Sequence, residues 1–116
     1  MLVVDDYDAN RVLLQDVLEM EGFRAFGACD GKDALRLLNG LRPSVILLDI
    51  KMPVLNGHEL LFELRADQGL STIPVVLVTA DRDAGQISGV AALIKKPFEI
   101  SHLVETVKRC AGVSNG

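Results

Sequence analysis

Ser44-Val45-Ile46-Leu47-Leu48-Asp49 is the stretch on which the fold turns: four consecutive apolar residues, without alternation, closed by an acid. A strand with one face in water alternates apolar and polar residues, whereas an unbroken run belongs to a strand covered on both faces. Working outward, runs of the same kind recur. Met1–Val4 ends on Asp5-Asp6, Ile73–Val78 ends on Thr79, and Val90–Ile94 ends at Lys95-Lys96-Pro97. Phe23–Ala28 reads as a further strand, and Pro74 stands near the start of its own, where a missing N–H is tolerated. Amphipathic stretches of helix length lie between these runs. Asp8 can N-cap a helix over about Ala9–Glu21, with Val12, Leu13, Val17 and Met20 among its apolar positions and Gly22 as its stop. Lys32–Asn39 presents Ala34, Leu35 and Leu38; Gly57–Ala66 presents Leu60, Leu61 and Leu64; Glu99–Cys110 presents Ile100, Leu103, Val104 and Val107. Strands and helices alternating on short connections predict an α/β fold, with a doubly wound five-stranded parallel sheet and helices on both faces.

Composition bounds what such a domain can do. The 116 residues fit one compact domain, read here as a single unit over 1–116 and consistent with a piece cut from a longer protein. With 49% hydrophobic residues, only 4% aromatics and no Trp, the core must be built from Leu, Val, Ile and Ala. Twelve basic against sixteen acidic residues leave a net charge of −4, which argues against a nucleic-acid surface. Cys29 and Cys110 lack metal-ligand spacing and read as reduced, partly buried thiols. Asp5 and Asp6 interrupt the first apolar run too early for a signal peptide, and no stretch has transmembrane length, so no membrane contact and a cytoplasmic location are expected.

The polar residues carry the functional information through their positions. Asp5, Asp6, Asp49, Thr79 and Lys96 all fall just after strand-like runs. In a parallel sheet those ends line the carboxyl edge, where open α/β folds place their ligand sites. Three carboxylates brought together there repel one another unless a cation compensates. An all-oxygen donor set suits Mg²⁺, and no His or Cys is placed to favour a softer metal. With Lys96 as a second cation and Thr79 as a hydroxyl donor, the group contains what phosphoryl transfer needs: a carboxylate nucleophile, a metal and a cation for developing charge.

The chain resembles the receiver domain of bacterial two-component response regulators over nearly its whole length. The matching pieces are Leu-Val-Val-Asp-Asp at 2–6, Leu-Leu-Asp-Ile-Lys-Met-Pro at 47–53 with Asn56-Gly57 following, Val-Thr-Ala at 78–80 and Lys-Lys-Pro-Phe at 95–98; Asp30-Gly31 and Ala34-Leu35 also fit. The resemblance implies the flavodoxin-like strand order 2-1-3-4-5 and Asp49 as phosphoacceptor. It implies Mg²⁺ on Asp6, Asp49 and the backbone carbonyl of Lys51, with Asp5 acting through water. Lys96 would pair with the phosphoryl oxygens, Thr79 would turn inward to the phosphoryl group as the switch, and the Lys96–Pro97 bond would be cis. The implied donor is a phosphohistidine on a sensor histidine kinase or phosphotransfer protein, and the implied target an output domain or partner protein. The domain would catalyse only its own phosphorylation and dephosphorylation. Asp8-Ala9-Asn10-Arg11 is similar to receivers of hybrid kinases.

Two departures from the family pattern stand out. Leu93 occupies a position that is usually aromatic and moves with the Thr. The stretch between Thr79 and Lys96 is also short by roughly five residues, and the loss falls between Ala80 and Ser88, where a fourth helix belongs. Gly85 lies in that stretch, and Gly costs about 1 kcal/mol against Ala inside a helix. A helix of one or two turns, or no stable helix, is expected there, anchored chiefly by Ile87, with weak pairing of two copies through that face.

Other readings lead to other chemistry. A haloacid-dehalogenase-type phosphohydrolase also forms an aspartyl phosphate, but it needs an acid two residues after the nucleophile, where this chain has Lys51. A flavodoxin-like cofactor binder needs a Ser/Thr/Gly-rich loop where Asp5-Asp6-Tyr7-Asp8 stands. A degenerate receiver acting only as an interaction scaffold would not require all five pocket residues.

Overall fold

The alternation of strand and helix produces five parallel strands in the order β2-β1-β3-β4-β5. The computed structural model describes residues 1–50 and 57–112, with only the backbone at Arg82 and Asp83. The strands are β1 (Leu2–Val4), β2 (Phe26–Ala28), β3 (Ile46–Leu48), β4 (Val75–Thr79) and β5 (Ala92–Lys95). The helices are α1 (Asp8–Met20), α2 (Gly31–Leu38), α3 (Gly57–Ala66) and α4 (Ile100–Cys110).

Side chains on a strand alternate between faces, and the unbroken apolar runs are thereby sorted into two layers. Leu2, Val4, Ile46, Leu48 and Leu77 pack with Ala34 and Leu38 of α2 and Leu60 and Leu64 of α3. Val3, Leu47, Val76, Val78 and Ile94 pack on the other side with Leu14, Val17 and Leu18 of α1 and Leu103 and Val107 of α4. Leu47 and Leu48 are both fully buried, each in its own layer. Neighbouring strands hold a fixed register, with Val4 opposite both Ala28 and Leu48, and Leu48 opposite Leu77.

The helix ends follow local chemistry, with one correction. Gly22 ends α1 at φ +90°, its N–H reaching the Glu19 carbonyl while that of Phe23 reaches Leu18, which is a Schellman closure. Asp30 caps α2 by accepting a bond of 2.8 Å from the Asp33 N–H. Asp8, however, is not the N-cap of α1. Tyr7 occupies that position without a side-chain cap, and Asp8 is the first helical residue, paired with Arg11. The turn is held instead by Asp5, whose Oδ1 accepts from the Tyr7 N–H at 3.0 Å. The buried face of α1 also differs from expectation: Val12, Leu13 and Met20 are exposed.

The shortened connection after β4 folds as a 3-10 turn over Arg82–Gln86. Ala84 is buried beneath it and Ile87 packs on the core, so it has one more anchor than the sequence suggests. Arg65, at the end of α3, donates to the Ser88 carbonyl. Gly89 sits at φ +80°, and a Cβ there would lie 2.7 Å from the Arg65 guanidinium. Leu93, the position usually aromatic, is partly buried against the same layer. Cys29 is exposed rather than partly buried.

Candidate functional site

The ladder bonds of the sheet place the predicted polar residues. The Asp5 N–H donates to the Ala28 carbonyl at 3.1 Å, and the Asp49 N–H donates to Val4 at 3.0 Å, so each acid continues its strand by one residue. Thr79 is the last residue of β4, opposite Lys95, and the Lys96 N–H donates to its carbonyl at 3.0 Å. Four strand ends therefore converge at one edge. The Lys96–Pro97 peptide is cis.

Carboxylate oxygens of Asp5, Asp6 and Asp49 lie within 4.8 Å of one another. Asp5 is almost fully buried, Asp6 is exposed, and the Asp49 side chain is 13% exposed. Lys96 bridges two of the acids, its Nζ standing 3.1 Å from Asp5 Oδ2 and 3.2 Å from Asp49 Oδ2. Burial alone would lower the Lys96 pKa, but the hydrogen bond it donates to Asp5 and the charges of Asp49 and Asp5 outweigh that and hold the ammonium above its ordinary value. Thr79 is fully buried, and its hydroxyl accepts from the Asp81 N–H at 3.2 Å; a hydroxyl so engaged can still donate its own proton.

Among the described residues, the three carboxylates face the single ammonium of Lys96, so acid exceeds base in the cluster. The donor set is all oxygen, partly buried, with its exposed member facing water. That chemistry fits a hard divalent cation that keeps some of its own water, as Mg²⁺ does. The expected carbonyl ligand, Lys51, lies outside the described residues, as do Met52, Pro53 and Asn56 of the motif.

Gly57 shows why α3 can begin so close to this edge. Its N–H donates to the Ile50 carbonyl at 3.0 Å, and a Cβ would come within 2.6 Å of Ile50 Cα and 2.9 Å of the Asp49 carbonyl. Gly57→Ala is therefore expected to destabilise, by about 1–3 kcal/mol, although Ala is ordinarily the better helix former. Chemical denaturation checks it, and unchanged stability would show that α3 moves away freely.

Among the described residues, five expected members of the site, Asp5, Asp6, Asp49, Thr79 and Lys96, stand at this edge, and the sequence misses a neighbour of theirs, Arg11. Its Nη1 donates to the Asp5 carbonyl at 2.9 Å and its Nη2 pairs with Asp8. Spacing of i,i+3 could have suggested the Asp8 pair; nothing in the sequence points to the carbonyl.

With this geometry in view, comparison with known proteins is decisive. The family profile described as "Response regulator receiver domain" matches residues 1–108. The chain belongs to the response regulator receiver family. Among curated relatives, the receiver is 33% identical over 117 residues to the polar-differentiation response regulator DivK of Brucella anthropi, covering 97% of this chain and 95% of that protein. Its fold is similar to the receiver domain of a signal transduction histidine kinase from Syntrophus aciditrophicus, with a TM-score of 0.87 and 30% identity, covering 99% and 92% of the two chains. The receiver domain of a sensor histidine kinase from Pseudomonas aeruginosa, solved with a magnesium ion coordinated in its active site cleft, superposes with a TM-score of 0.88 at 28% identity, covering 96% of this chain and 95% of that one. Among the described residues of the receiver, no helix is long and apolar enough to cross a membrane.

Proposed function

We propose that this receiver accepts a phosphoryl group on Asp49 from the phosphohistidine of a sensor histidine kinase or phosphotransfer protein, and that the modified state controls an output domain or partner protein in the cytoplasm. The observation that carries the reading is the pairing of Lys96 with both Asp49 and Asp5 inside a carboxylate cluster no wider than 4.8 Å. Asp5, Asp6 and Asp49, joined by the Lys51 carbonyl, would hold Mg²⁺, which when bound supplies positive charge to the phosphoryl oxygens.

The chain's own residues do the rest. A carboxylate oxygen of Asp49 attacks phosphorus opposite the donor histidine nitrogen; the new O–P bond forms as the P–N bond breaks, and the imidazole leaves with the electron pair. Lys96, already protonated and 3.2 Å from Asp49 Oδ2, turns to the phosphoryl oxygens as the Asp49 carboxylate charge is lost to the acyl phosphate, a mixed anhydride. The Thr79 hydroxyl, buried at the end of the neighbouring strand, donates to the same group, and its movement displaces Asp81 and the turn that follows. The receiver acts on itself and turns over no separate substrate.

Acetyl phosphate tests this without the donor protein. In millimolar Mg²⁺, intact mass should rise by one phosphoryl group, the label should be lost in alkali as an acyl phosphate is, and a chelator should prevent its formation. A label on Ser, Thr or His would refute the assignment.

A further inference from the structure

Asp5 and Asp6 are adjacent, yet their surroundings differ. Asp5 is 2% exposed and held on every side: its N–H by Ala28, its Oδ1 by the Tyr7 N–H, its Oδ2 by Lys96. Asp6 is exposed. The Asp6 backbone starts from the peptide plane that joins it to Asp5, so the orientation of that plane limits where its carboxylate can reach. The carbonyl of that plane belongs to Asp5, and it accepts the Arg11 bond of 2.9 Å.

Arg11 is well placed to hold the plane still. Its side chain is only 17% exposed, its other arm is paired with Asp8, and its own N–H closes the first turn of α1 on the Tyr7 carbonyl at 3.0 Å. A planar guanidinium tied at two points cannot swing as a lysine can. Room for it comes from the edge strand: Gly27 of β2 lies beneath, where a Cβ would stand 3.0 Å from Arg11 Cδ and 2.5 Å from Gln15 Oε1.

We propose that Arg11 is a positioning residue for the acid pair: by fixing the Asp5–Asp6 peptide plane it aims the Asp6 carboxylate into the cluster and raises the affinity for the divalent cation. The proposal rests on the reading of the cluster as a Mg²⁺ centre. It makes a prediction whose sign is unusual. By charge alone, removing a nearby cation should tighten binding of another cation. By position, removing Arg11 should weaken it, because outer partners that orient ligands are worth on the order of tenfold in metal affinity or more.

The experiment is a Mg²⁺ titration of the wild type, Arg11→Ala, Arg11→Lys and Gly27→Ala by amide NMR shifts, with thermal melts of each in chelator. Arg11→Ala should raise the Mg²⁺ Kd about tenfold. Arg11→Lys, which keeps the charge but loses the fork, should fall between that variant and the wild type. Gly27→Ala, whose added Cβ meets Gln15 and Arg11 first, should shift the Kd in the same direction by less, and it carries the test if Arg11→Ala fails to fold. A lowered melting temperature with unchanged or tighter Mg²⁺ binding would overturn the proposal, leaving Arg11 as a structural residue only. A wild type that does not titrate at all would sink the metal reading itself, and this inference with it.

Discussion

Asp49→Asn is expected to leave the receiver folded and without any phosphoryl group after treatment with acetyl phosphate and Mg²⁺. The substitution changes one oxygen to an amide nitrogen and leaves the side-chain volume alone, so the strand end and its 3.0 Å bond to Val4 are retained. The remaining oxygen can still accept from Lys96. What is lost is the anionic nucleophile: no carboxylate oxygen remains at that position to form the bond to phosphorus. Removing a nucleophile outright lowers a reaction by on the order of 10³-fold or more, which in an intact-mass experiment reads as no modified protein. Asp5 is too deeply held, at 2% exposure and with both carboxylate oxygens engaged, to stand in for it. Labelling at the wild-type rate would mean that the acceptor lies elsewhere.

Lys96→Ala should destabilise the receiver by about 3 kcal/mol in chelator, because it strands the buried carboxylate of Asp5 beside that of Asp49. Domains of this size are stable by only about 5–15 kcal/mol, so the loss is large. In melting temperature it corresponds to roughly 10 °C. The Tyr7 N–H still serves one oxygen of Asp5, which keeps the cost from being greater. Two further measurements identify the cause. Adding millimolar Mg²⁺ returns positive charge to the cluster and should narrow the gap to wild type, since a cation that binds only the folded state stabilises it. Asp5→Asn introduced beside Lys96→Ala removes the stranded charge and should recover part of the loss. The Lys96 contribution has a definite pH sign. Its pKa is raised on folding, so the stabilisation is complete below the ordinary lysine value and fades as pH climbs through the raised one. A Lys96→Ala melt equal to wild type in chelator would show that water, not Lys96, balances the acids.

The strand ends are legible in the sequence, because an apolar run that stops on an acid fixes both the burial of the strand and the edge on which the acid stands. Asp5, Asp49, Thr79 and Lys96 all meet there. The closure at Gly22 and the cis bond at Pro97 also agree with expectation. The phase of α1 is not legible. Val12, Leu13 and Leu14 are three apolar residues in succession, which fit more than one helical face, and the sheet selects Leu14 with Val17 and Leu18. The part of Asp5 in the turn before α1 is hidden for another reason: an acid assigned to a site can also hold a turn, and Asp8, three residues nearer the helix, looks like a cap although α1 has no side-chain cap. Contacts such as Arg65 to Ser88 and Arg11 to Asp5 join a side chain to a carbonyl, and a carbonyl has no signature in the sequence.

The sorting of β3 into two layers has a consequence for tolerance. A slip of β3 by one residue would carry Asp49 about 3.3 Å along the strand, most of the 4.8 Å that bounds the carboxylate cluster. The same slip would turn Leu47 toward α2 and α3 and Leu48 toward α1 and α4, inverting the strand's contribution to both layers. A polar pocket could hardly resist such an error by itself, since water solvates a misplaced acid readily. Here the gauge is cut in hydrocarbon: leucines that never meet a phosphate set the calibration of the atoms that would.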